Sequence, residues 1–281
     1  MNPLEQIALA GHALALVARA SLHPRLWIPW LPLILVELAW LALLAGFAHP
    51  AVSGVMAPLL TAISGDAVLH YPNVFRILPG LHARGAFVIV ATLGSIVVGA
   101  SVWVFDELWA GRTPHPGVAL GEALRRAPAL IVAQAPLHLL TVVLTFGLAG
   151  WMEGRGSSGI TVRALGLLAT LAATVLQALF LLVPVHVMRA SRSPLGAWLE
   201  IPRVFMRAGV TVVVLSTLVT VAGFPLEFLA RFTERLVERG RPELVAAMVV
   251  AQIGFATLAG FVLAGAAVVC YRTRVEDDTW A

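Results

Sequence analysis

The chain is 281 residues long, 59% hydrophobic and only 12% charged, with a formal charge of +4. Soluble domains carry roughly 25% charged residues, so a cytosolic enzyme is excluded, as is intrinsic disorder on grounds of hydrophobicity. A single cysteine, Cys270, excludes a disulfide scaffold, and a mean hydropathy of +0.90 marks a polytopic membrane protein.

All 19 basic residues are arginine. They stand at the ends of apolar runs, where they set membrane orientation and meet lipid phosphate. No basic stretch carries the interleaved aromatics of a nucleic-acid-binding face, so no nucleic-acid partner is expected. Met1 to Ala20 has no basic opening and Glu5 precedes its apolar stretch, so it does not read as a signal peptide.

A hydrocarbon layer about 30 Å thick requires roughly 20 apolar residues of helix. Six segments satisfy this, at residues 26–47, 85–105, 127–151, 164–188, 208–229 and 244–271. The expected fold class is all-α: a polytopic transmembrane bundle of six spans with interfacial helices, forming one integral membrane domain over residues 1–281. Pro136 and Pro184 fall inside spans three and four and permit kinks there.

An amphipathic stretch precedes each odd-numbered span. Leu4 to Arg19 places Leu4, Ile7, Leu14 and Val17 near one face; Val118 to Arg126 sets Leu120 and Leu124 beside Glu122, Arg125 and Arg126. Leu195 to Arg207 puts Trp198, Ile201 and Phe205 on a stripe opposed by Glu200, Arg203 and Arg207. Helices lying in the headgroup plane explain this pattern, with Arg19, Arg25, Arg125, Arg126, Arg203 and Arg207 contacting lipid headgroups. The plainer alternative is ordinary connector helices. The layout repeats three times as interfacial helix, span, loop, span, without an even sequence period.

Six spans return the chain to its starting side. With the termini cytoplasmic, that side holds eleven arginines against eight. The positive-inside rule therefore favours cytoplasmic termini in a cytoplasmic (inner) membrane, although Arg231 to Arg241, with four arginines, opposes it. The connection from Ala48 to Arg84 is long and apolar, with short helices expected at Val52–Ile63 and Asn73–Leu78. So apolar a loop should lie on the membrane or against other membrane protein subunits.

Candidate chemistry is sparse. Glu37 sits inside span one, where a carboxyl is costly and is a functional candidate. Gln134, His138, Thr141 and Thr145 share a face of span three; Thr170, Thr174 and Gln177 share one of span four; Gln252 is mid-span in the sixth. Together with Glu37, the residues Gln134, His138, Gln177 and Gln252 could line a polar path, or could join helix to helix. His138 could ligate a haem or chlorin, with His186 at a different depth. His49, Asp66, His70 and His82 in the outer loop match no zinc spacing, and no metal site is expected. Nucleotide, serine-hydrolase and zinc-protease signatures are absent, and Ser157 and Ser158 fall in a glycine-rich loop without a local His or Asp.

The run from Ala266 to Arg274, Ala-Ala-Val-Val-Cys-Tyr-Arg-Thr-Arg, is followed by Glu276-Asp277-Asp278. With Leu195 to Arg207 feeding span five, this layout resembles the membrane domain of glycerophosphoryl diester phosphodiesterases and related six-span bacterial proteins. A looser similarity to sulfate-permease-type proteins rests on Pro24 to Pro32 and the tail. The first resemblance implies a membrane module; the catalytic barrel of those phosphodiesterases is missing, so it carries no hydrolase residues. A non-enzymatic accessory or scaffolding subunit is the expected function. The alternatives are a small-solute or ion permease and a cofactor-bearing subunit.

Overall fold

The computed structural model describes residues 2–147, 159–189 and 193–273. Among these, every regular element is a helix, and six helices are long and apolar enough to cross a membrane. The protein is an all-α polytopic membrane protein. The expected loop around Ser157 and Ser158, and the end of span three at residues 148–151, lie outside the described residues.

Helix α1 (Pro3–Ala20) begins with proline at its first position, and Asn2 caps it by accepting the Leu4 amide hydrogen at 3.2 Å. After two short 3-10 turns come α2 (Leu31–Ala45), α3 (Pro50–Ser64) and α4 (Asn73–Ile89). A π-turn, Val90–Gly94, joins α4 to α5 (Ser95–Trp109); α6 (Pro116–Arg125) and α7 (Ala127–Val142) follow. Then come α8 (Gly159–Phe180), α9 (Val183–Arg189), α10 (Pro194–Ala230), α11 (Thr233–Glu238) and α12 (Glu243–Tyr271).

Three boundaries differ from the expected ones or sharpen them. Span two begins at Asn73 and not near residue 85, because the helix runs on through the second half of the supposed loop. Val74, Phe75, Leu78, Leu81 and His82 recur at helical spacing and are all buried; that burial holds the helix together although Pro79 forfeits a main-chain hydrogen bond. Span four breaks between α8 and α9, just before Pro184, whose missing N–H cannot bond back along the helix. Helix α10 leaves helical dihedrals only at Ala208 (φ −129°, ψ 15°), so an amphipathic helix and span five meet there as expected.

The chain packs as two compact units. One comprises Met1–Trp30, Ala91–Thr220 and Gly260–Ala281. At its centre Trp27 stacks on Phe261 (4.0 Å between ring centroids), and Phe105 meets Phe261 edge-on at 5.0 Å. Gly265 makes this centre possible, since a Cβ there would stand 2.7 Å from Val17 and 2.9 Å from Phe105. The second unit comprises Leu31–Val90 and Val221–Ala259, around a core including Leu44, Leu60, Val74, Leu78, Val245 and Val249.

Candidate functional site

The three amphipathic helices all belong to the first unit, and each packs through a face of mostly small side chains. In α1 the buried residues are Gln6, Ala10, Ala13, Val17 and Ala20, while Leu4 is 71% exposed and Ile7 47%. The stripe of Leu4, Ile7, Leu14 and Val17 therefore divides: Val17 is packed, Leu14 half-buried, and Leu4 and Ile7 turn outward. Small side chains let the helix approach its neighbours closely, and the large ones point away. Helix α6 repeats this, burying Ala119 and Ala123 and exposing Val118 and Leu124. The first part of α10 buries Ala197 and Val204, with Trp198 and Phe205 half-buried, and exposes Leu195, Leu199, Pro202 and Met206. At 100° per residue these last four form one stripe, and Glu200, Arg203 and Arg207 lie about a quarter turn away. Each helix thus has a packed face, an outward apolar face and a charged flank.

The arginines expected at headgroups do not all behave alike. Arg19 and Arg25 are exposed. Arg125 pairs with Glu122 at 2.8 Å and Arg203 with Glu200 at 3.9 Å, both guanidinium groups remaining largely exposed. Arg207 is half-buried. Arg126 turns inward, its Nη1 donating to the carbonyls of Val187 and Met188 at the end of α9, where unsatisfied helix carbonyls attract a cation.

A charge cluster that went unnoticed in the sequence closes the first unit. Asp106, at the end of span two, accepts from Arg272 Nε at 2.8 Å and Nη2 at 2.6 Å through one carboxylate oxygen. Arg189 lies 3.4 Å and Arg112 4.0 Å from its other oxygen. The guanidinium of Arg189 also sits 5.4 Å above the Tyr271 ring, which His186 meets edge-on. One carboxylate thus ties together the ends of spans two, four and six. The signal available was an Asp and two Arg residues each at the end of an apolar run.

The expected polar-path residues divide between the units. Gln134, His138 and Gln177 belong to the first, Glu37 and Gln252 to the second. Gln134 is buried and its Nε2 has no hydrogen-bond partner; His138, Gln177 and Gln252 are half-buried. The threonines beside them mostly bond to their own helices, Thr141 to the Leu137 carbonyl and Thr170 to that of Gly166. Thr174 alone reaches another helix, at 3.1 Å from Thr220 Oγ1.

In the second unit Glu37 has a neighbour that sequence reading placed in a loop. His82 lies in α4, only 7% exposed, and its ring hydrogen-bonds the Glu37 main-chain carbonyl while Nε2 has no partner. Trp40, one turn beyond Glu37, lies on Gly85, one turn beyond His82; a Cβ on Gly85 would collide with the Trp40 indole, whose Nε1 also lacks a partner. An imidazole and an indole N–H thus line the contact of α2 with α4, and Glu37, whose main-chain carbonyl joins them, is itself buried. At the edge of this unit Tyr71 donates to Glu243 Oε1 at 2.8 Å. That bond, then desolvation and the carboxylate's charge, hold the Tyr71 phenol above its usual 10.0.

Among the described residues no three His, Cys, Asp or Glu side chains are grouped so as to hold a metal ion. No protein-family model, curated protein or solved structure matches the chain.

Proposed function

We propose that the protein is a non-enzymatic membrane scaffold whose working surface is a set of in-plane helices seated among lipid headgroups of one leaflet. One observation carries this: α1, α6 and the first part of α10 each turn alanine or valine inward and leucine, isoleucine, valine or methionine outward. An exposed apolar stripe flanked by charge is what an interfacial helix presents to acyl chains and headgroups. All three precede odd-numbered spans, so six crossings put them on one side. We assign that side to the cytoplasm, in the inner membrane, with both termini there and the exposed arginines among anionic headgroups.

Helix α3 supports an accessory role in the same way. In α3 the residues Val55, Leu59 and Ile63 recur every fourth position and are exposed, while Met56 and Leu60 are buried. That outward stripe suits a helix of another membrane subunit. Purification in mild detergent followed by mass spectrometry tests it. A stoichiometric membrane partner, lost when Val55, Leu59 and Ile63 become serine, is expected; a chain that always runs alone contradicts the accessory role.

A permease is the second reading, favoured by the unpartnered polar atoms of His82 and Trp40 beside Glu37. Polar groups in hydrocarbon without partners are costly, and water or a passing solute would satisfy them. Reconstituted protein should then support a solute or proton flux that Glu37→Gln reduces. Flux that is absent, or indifferent to that change, removes this reading.

A further inference from the structure

The four arginines of residues 231–241 oppose the orientation favoured by the rest of the chain, and the in-plane platform does not use them. Two of them, Arg235 and Arg239, line a cavity of about 460 Å³ within the second unit, formed by the end of α10, α11 and the start of α12. Its walls are otherwise apolar, with Leu229, Phe232, Leu236 and Met248 among them. That volume falls within the roughly 300–1,000 Å³ of small-molecule sites.

The charge at this cavity is one-sided. Arg235 and Arg239 are one helical turn apart and point to the same side. Glu234 and Glu238, on the same short helix, take no part in the lining. Neither guanidinium has a carboxylate partner among the described residues; Arg235 lies 5.4 Å over the Phe232 ring. Two forked donors beside an apolar chamber, where span five ends and span six begins, match a phosphate with an acyl chain beneath it.

We infer that this cavity is a binding site for one anionic phospholipid, its phosphate held by Arg235 and Arg239 and an acyl chain lying against Leu229, Leu236 and Met248. The site shares no residue with the in-plane helices, so its failure and theirs are separate results. It also gives the arginines that oppose the charge bias a local purpose.

The test uses full-length protein, delipidated in detergent and titrated with phosphatidylglycerol or phosphatidylcholine, read by native mass spectrometry. Wild type should take up one phosphatidylglycerol in preference to phosphatidylcholine. The variant Arg235→Gln/Arg239→Gln, altered only at exposed side chains, should weaken phosphatidylglycerol binding roughly tenfold or more and phosphatidylcholine, whose choline cation already offsets its phosphate, by less, so that the preference between them is lost. Met248→Trp, which fills the chamber, should weaken both lipids. Equal binding of the two lipids by wild type would overturn the assignment, as would full affinity in the double variant. A retained adduct with the mass of a fatty acid would overturn it as well.

Discussion

The side-chain oxygen of Gln6 accepts the Val210 amide hydrogen at 3.0 Å, two residues past the break at Ala208 in α10. A break there deprives the following amides of their partners one turn back. Gln6 satisfies one of them, and its own carbonyl accepts from Thr211 Oγ1 at 2.9 Å. A residue on α1 thus fixes the junction of the amphipathic first part of α10 with span five. Replacing Gln6 by leucine should leave the Val210 N–H without a partner and cost roughly 1–3 kcal/mol. Thermal unfolding in detergent measures this, with Gln6→Glu as the milder variant; no loss of stability in Gln6→Leu contradicts the role.

Gly85 and Trp40 should be energetically coupled. A methyl at Gly85 meets the indole, and crowding of this kind costs roughly 1–3 kcal/mol. Gly85→Ala should therefore lower the unfolding midpoint, and Trp40→Ala should remove most of that penalty by making room. A double-mutant cycle reads the coupling; independent, additive effects would show that the two helices do not touch as described.

The Tyr71–Glu243 contact predicts an alkaline effect. A phenol whose folded pKa is raised stabilises the fold below its unfolded value near 10.0, and the contribution is lost as pH rises through the folded value. The chain has two tyrosines, so absorbance titration with Tyr71→Phe as control isolates this one. Glu243→Gln should bring the Tyr71 transition back toward 10.0; an unmoved transition rejects the contact.

Much of the fold is written in apolar periodicity. Runs of about twenty apolar residues gave six spans, and the break at Ala208 falls where Leu195 to Arg207 passes into such a run. His82 was legible too: it lies on the stripe of Val74, Phe75, Leu78 and Leu81, but Pro79 invited a loop in its place. The orientation of α1 was not legible. In water the large residues of an amphipathic helix turn inward, whereas in a membrane small residues pack and large ones face lipid. Arg126 misled for a related reason, because helix-end carbonyls compete with lipid phosphate for a guanidinium and lie far off in sequence. The Asp106 cluster joins residues up to 166 positions apart, beyond the reach of local spacing.

The in-plane seating of the three helices is tested most directly by depth measurement in liposomes. In a Cys270→Ala background, spin labels replace Met206, which is 84% exposed, and Arg203 on the charged flank. Labels at Leu4 and Leu124 report on the other two helices. The expected result is that Met206, Leu4 and Leu124 labels collide with oxygen, are shielded from a water-soluble nickel chelate, and lie about 5–10 Å below the headgroups, while Arg203 is open to nickel. Full nickel access at Met206, Leu4 and Leu124 alike would make these helices solvated connectors and contradict the platform.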